Sequence, residues 1–175
     1  MTKMLRKVRQ IRQFGPEPVP DDVLEQLLEV ARWTGSSKNT QPWHFIVITD
    51  PEQLRRISRL REAINWVAKA PLGIAIVTDG VSSRSESYDA GRVSERLLIA
   101  AHMLGLGAGV AWYGEPPLEA EAKRILGIPA ERTAQLVVLV GRPTSIDDPR
   151  PITRPKGRKP LSEIVSHERW GKARS

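Results

Sequence analysis

Cysteine is absent from the 175 residues, which excludes disulfides, thiolate nucleophiles and Cys-ligated metals. Histidine is nearly as scarce. His44, His102 and His167 lie far apart, none with a second ligand at helical spacing, so no metal site is expected. Aromatic residues make up 5% of the chain, and the basic residues are not interleaved with them as on a nucleic-acid stacking platform. No apolar run reaches the ~18 residues that a membrane-spanning helix needs. The charged start MTKMLRKVRQ is followed by no apolar stretch of signal-peptide type. No P-loop and no G-x-S-x-G motif occurs. These absences point to a cytoplasmic protein with no metal, membrane or nucleic-acid partner.

What is present suffices for one domain of ordinary size, since 40% of residues are hydrophobic. The net charge of +7 is unevenly distributed. Residues 1–14 carry Lys3, Arg6, Lys7, Arg9 and Arg12 with no acid, and residues 142–175 carry nine basic residues against four acidic ones. The middle of the chain is slightly acidic. Either both ends are solvated basic arms, or they converge on one anion.

Pro16, Pro18 and Pro20 make an extended entry segment. Asp22 with Glu25 reads as a capping box for the amphipathic stretch DVLEQLLEVARW. Short apolar strands are expected at 45–49, 72–78, 110–113 and 135–141. Between them stand an exposed helix from Pro51, a polar loop over 79–88, a long helix from Asp89 stopped by Gly105 and Gly107, and a short helix closed by Gly127. Helices alternating with strands indicate helices packed on a sheet. From Arg142 the chain is rich in Pro and Arg, with one apolar patch, LSEIV, and reads as an arm rather than a domain.

Three features call for chemistry to be weighed. Gly105-Leu-Gly-Ala-Gly109 resembles a dinucleotide loop, but it follows a helix and opens a strand, the reverse of that fingerprint, so a helix stop is the better reading. The segment from Ser36 to Trp43 is richer in side-chain donors and acceptors than a connection needs. It reads either as a binding loop or as a turn with Asn39 left-handed and Trp43 anchored in the core. Arg9 and Arg12 share a face if helical and could clamp a phosphate, as could Lys156, Arg158 and Lys159, although basic faces of this kind are also common on solvated surfaces.

VRQIRQFGPEPVP, a helix, then SSKNTQPWHFIVI resembles the opening of the nitroreductase family of flavin mononucleotide (FMN) enzymes. The likeness continues through Ala70-Pro71, the helix ending MLGLG, the LGIP and VGRP segments, and Lys156-x-Arg158-x-Pro160-Leu161, in order along nearly the whole chain. Two departures stand out: Val8-Arg9-Gln10 replaces the Arg-Arg-Ser common in relatives, and Trp112-Tyr113 is bulkier than usual.

The resemblance implies an α+β three-layer sandwich with a central mixed sheet flanked by helices. It further implies an interlocked homodimer, with a core over 1–141 and a C-terminal arm over 142–175 wrapping the partner. FMN is the implied cofactor and NADH or NADPH the co-substrate, with hydride passed to a small electron-poor acceptor such as a nitroaromatic or quinone. The implied FMN contacts are Arg9, Gln10, Lys156 and Arg158 towards the phosphate, Arg12 at the pyrimidine edge of the ring, and Ser37, Asn39 and Gln41 from the partner. The strand at Trp112 is implied to turn a backbone N–H towards N5. No side chain is assigned a certain catalytic role, and Arg12 and Trp112 are the best candidates to tune the flavin. The alternatives are a specialised relative that destroys flavin or dehalogenates, or a non-catalytic protein that binds flavin or nucleic acid.

Overall fold

The computed structural model describes residues 2–145 and 157–172. In chain order the elements are α1 (Thr2–Leu5), β1 (Gln13–Phe14), α2 (Asp21–Arg32), β2 (His44–Ile48), α3 (Pro51–Ser58), β3 (Leu72–Thr78), α4 (Ser83–Met103), β4 (Gly107–Trp112), α5 (Pro116–Leu126), β5 (Thr133–Gly141), β6 (Pro143–Ser145) and α6 (Leu161–Ile164). Short 3₁₀ segments, Ser37–Asn39 and Glu62–Lys69, precede β2 and β3.

The main sheet has the order β2-β3-β5-β4, and all three ladders are antiparallel. A single parallel bridge from Gln10 to Ala108 adds the N-terminal segment to the outer edge of β4, and the mixed character of the sheet rests on it. A second, two-stranded ladder joins β1 to β6, pairing Gln13 with Ser145 and Phe14 with Pro143.

The three layers follow from the two-residue period of the strands. Leu72, Ile74 and Ile76 of β3 and Val138 and Val140 of β5 join Leu27, Ala31, Val93 and Leu97 of α2 and α4 in one core. Ala75, Val137 and Leu139, from the opposite face, join Leu54, Ile57, Trp66, Val67, Ala122 and Ile125 under α3, α5 and Glu62–Lys69. Every residue of β3 is buried, so it reads as an unbroken apolar run rather than an alternating one.

Several boundaries differ from the sequence-based expectation. Helix α2 begins at Asp21 behind Pro20, which holds the N-cap position in an extended conformation without any side-chain cap. Asp21 and Asp22 therefore act in the first turn, on the helix dipole, and no capping box forms. The helix from Pro51 ends at Ser58 and buries Leu54 and Ile57, so it is not simply an exposed helix. Gly105, with φ 75°, ends α4, but Gly107 already lies in β4.

The largest difference is α4, which starts at Ser83 inside the expected polar loop. Glu86 is the cause. Its buried carboxylate accepts the Thr78 hydroxyl at 2.7 Å and the N–H groups of Gly80 at 3.1 Å and Ser82 at 2.8 Å, tying the first turn to the end of β3. Burial pushes this carboxyl up, yet the donors from Ser82, Thr78, Gly80 and Val81 outweigh it and hold its pKa below the ordinary carboxylate value.

A folded-state pKa below the unfolded one gives stability that is complete above the unfolded value, roughly pH 4.3, and is lost as pH falls through the lowered value. Replacing Glu86→Gln removes the charge that these donors converge on and should cost about 1.5–3 kcal/mol at neutral pH. Urea denaturation at neutral and acid pH checks this: the variant should be weaker at neutral pH, and the gap should narrow in acid.

Candidate functional site

The outer edge of β4 organises the site. The Ile11 N–H donates to the Ala108 carbonyl at 2.8 Å, and the Val110 N–H donates to Gln10 Oε1 at 3.0 Å. The Tyr113 N–H turns the other way, to Gln135 of the β5 side. By the alternation of strand backbone, the N–H of Trp112 points to the same open edge as that of Val110.

This close approach requires glycine on β4. A Cβ at Gly109 would stand 2.1 Å from the Ile11 carbonyl oxygen, and one at Gly107 would stand 2.7 Å from Ile11 Cγ1. The alternating glycines are therefore more than a helix stop. They let residues 9–12 lie flat against the strand.

With that segment fixed, Arg9, Gln10 and Arg12 line a cleft of about 850 Å³ together with Arg6, Gly157 and Arg158. The apolar wall comes from Leu5, Val8 and Leu98, and Glu95 is the one acid among the described lining residues. Arg9 Nη1 donates to the carbonyls of Arg6 and Val8, and Arg158 Nη1 donates to that of Gly157. Each guanidinium has five N–H donors, so several remain beyond these bonds. Arg12 is half-buried with its Cζ 5.7 Å from the centroid of the buried Trp66 ring. Arginines outnumber carboxylates among the described lining residues, and their forked donors suit a dianion such as a phosphate monoester.

The nitroreductase family's sequence model matches residues 5–79. A provisionally named NADH dehydrogenase/NAD(P)H nitroreductase of Archaeoglobus fulgidus is 31% identical over 153 residues, which cover 83% of this chain and 87% of that protein. The chain belongs to the nitroreductase family. A solved structure of a provisionally named nitroreductase of Desulfovibrio desulfuricans, in complex with FMN, is similar with a TM-score of 0.78 and 26% identity, over 97% of this chain and 96% of that one. Iodotyrosine deiodinase 1 of Rattus norvegicus is 35% identical over 80 residues, but these are 44% of this chain and only 27% of that protein.

In this nitroreductase-family chain, the structure brings some of the expected site residues together and keeps others apart. Arg9, Gln10, Arg12 and Arg158 meet in the cleft. Gln10 spends its carbonyl on Val110, leaving its amide N–H groups as the end that could serve an anion. Ser37, Asn39 and Gln41 are exposed and do not line the cleft of their own chain. Their loop is strained, with left-handed φ values at Lys38, Asn39 and Gln41, and the Gln41 N–H bonds to Ser36 Oγ at 2.8 Å. Asn39 is thus left-handed as the turn reading requires, and Trp43 packs on the α2–α4 core. Lys156 lies outside the described residues.

Trp112 is 52% exposed, which rules out a core role for its ring. Its neighbour Tyr113 is fully buried in the opposite core and lines no site. Sequence reasoning missed Arg6 and Glu95 as cleft residues and Arg61 as a partner of Trp112, whose ring centroid lies 5.8 Å from Arg61 Cζ. Arg6 stood in the basic run that opens the chain. Nothing local singled out the other two.

Gly109→Ala should push residues 9–12 off β4, costing about 1–3 kcal/mol as an overpacking change and opening the cleft. Thermal melting, with hydrogen exchange at Ile11 and Val110, checks it: a lowered melting temperature and faster exchange at both amides are expected.

Proposed function

We propose that this protein is an FMN-dependent oxidoreductase that takes hydride from NADH or NADPH and reduces a small electron-poor acceptor, such as a quinone or nitroaromatic. The observation that carries the reading is the convergence of Arg6, Arg9, Arg12 and Arg158 on one cleft beside the open edge of β4. The donor set fits the phosphate of FMN, and the FMN complex of the Desulfovibrio relative supports the same cofactor here.

When bound, FMN supplies a ring that exchanges two electrons between a nicotinamide and an acceptor. The chain's own residues bind and orient. Arg9 and Arg158, with Lys156, hold the phosphate, and Gln10 adds an amide donor. Arg12, steadied against Trp66, sets a positive charge at the pyrimidine edge, where it favours negative charge by an amount on the order of a few kcal/mol. The edge-facing N–H of Trp112 would offer a donor to the ring, and the exposed indole would offer a flat face to the acceptor. Overall, NAD(P)H and one proton convert a quinone to its hydroquinone, or a nitro group to nitroso and water.

The protein works as a homodimer in the cytoplasm. Two observations support the dimer: the strained polar loop at 37–41 lines no part of the arginine cleft of its own chain, and Leu161, Ile164, Val165 and Trp170 of the C-terminal arm are exposed. In this reading residues 1–141 form the core and 142–175 the arm, with Ser37, Asn39 and Gln41 reaching the partner's flavin. A dehalogenating reading draws on the iodotyrosine deiodinase segment and would use the same cleft.

The protein should purify yellow with about one FMN per chain, since one phosphate site serves each cleft, and should run at twice the chain mass. Arg158→Ala should weaken FMN binding by roughly 10- to 150-fold, the loss of one charge-assisted contact, without altering the fold. Fluorescence titration of FMN with circular dichroism measures both. A colourless protein that takes up no FMN overturns the reading, and unchanged affinity in the variant removes Arg158 from it.

A further inference from the structure

Arg61 sits in the turn between α3 and the Glu62–Lys69 segment, half-buried, with its guanidinium carbon 5.8 Å from the ring centroid of the half-exposed Trp112. Two other arginines that lie over aromatic rings also reach a carboxylate: Arg32 over Trp33 pairs with Glu29, and Arg92 over Tyr88 pairs with Asp89. Among the described residues no carboxylate lies within ion-pair distance of Arg61. Its place is nevertheless built. Gly114, at φ 109°, leaves room for it, since a Cβ there would stand 2.7 Å from Arg61 Nη1. Trp112 follows Val110 by two residues on the same open edge, so the pair stands in line with Gln10 and Arg12 along β4.

An exposed indole offers a flat apolar face to a planar molecule. A guanidinium beside it, with no ion-pair partner among the described residues, offers forked donors to a carboxylate or sulfonate. We propose that Arg61 and Trp112 together form the acceptor platform of this enzyme and select planar, electron-poor acceptors that carry a negative charge. The inference rests on the oxidoreductase function proposed above and adds the charge of the substrate to it. Arg61 is a specificity residue: it touches the acceptor's anionic substituent and takes no part in electron transfer.

The test compares 4-nitrobenzoate with its methyl ester, an anionic and a neutral acceptor of nearly the same shape. In each, the nitro group takes two electrons from NAD(P)H and two protons, leaving as nitroso and water. Steady-state rates are measured for the flavin-loaded wild type, Arg61→Gln and Arg61→Lys. The ratio of kcat/KM for acid over ester should fall by about tenfold in Arg61→Gln, through a higher KM for the acid, as one charge-assisted contact is lost. Arg61→Lys should recover part of it, since the charge returns without the fork.

A ratio that is the same in all three proteins overturns the proposal, while FMN content and ester reduction by the wild type leave the oxidoreductase reading standing. A wild type that holds FMN but reduces neither compound with either nicotinamide overturns both. Should Arg61→Gln lose flavin or melt early, the wild type alone decides: its acid-to-ester ratio must fall as salt is raised, and a flat ratio overturns the proposal.

Discussion

The structure of the site depends on one close approach, that of residues 9–12 to the edge of β4. Gly107 and Gly109 permit it, because any side chain there would strike Ile11, and two hydrogen bonds hold it, from Ile11 to Ala108 and from Val110 to Gln10. Without that contact Arg9 and Arg12 would belong to a loose basic tail. With it they become two fixed walls of a cleft. The β1–β6 ladder completes the geometry by pairing the chain just after the N-terminal basic run with the chain just after β5.

Electrostatics then follows from topology. Arginines from the start of the chain and Arg158 from near its end share one cleft, where Glu95 is the one acid among the described lining residues. Like charges gathered this way repel one another, and a dianion relieves that repulsion. Along the same edge the character of the surface changes from cationic at Arg9, through the backbone donors of β4, to the exposed indole of Trp112 under Arg61. The arginine cleft, the backbone donors and the exposed indole thus occupy successive positions on one strand edge of this nitroreductase-family protein.

Much of this could be read from the residues. The runs at 72–78 and 135–141 stood out because β3 is buried throughout and β5 nearly so, and the helix ends at Pro51 and Gly127 followed from backbone chemistry. The uneven charge marked both ends of the chain, and Arg9 and Arg12 do meet Arg158 in one cleft. The start of α4 was not readable, since SRSESY has no apolar period and depends on Glu86 reaching back to β3 and its following turn. The strands β1 and β6 are two and three residues long, too short for any period to show. Gly107 and Gly109 reveal their purpose only against Ile11, a hundred residues away in the chain, and the meeting of Arg61 with Trp112 is likewise a product of the fold alone.

The central claim is that the arginine cleft recognises a phosphate joined to a flavin. Titrating flavin-stripped protein with FMN and, separately, with riboflavin isolates that phosphate, since the two share the same ring. The account predicts that FMN binds about 100-fold tighter or more, with the difference shrinking as salt rises. Equal affinity for the two flavins would contradict it.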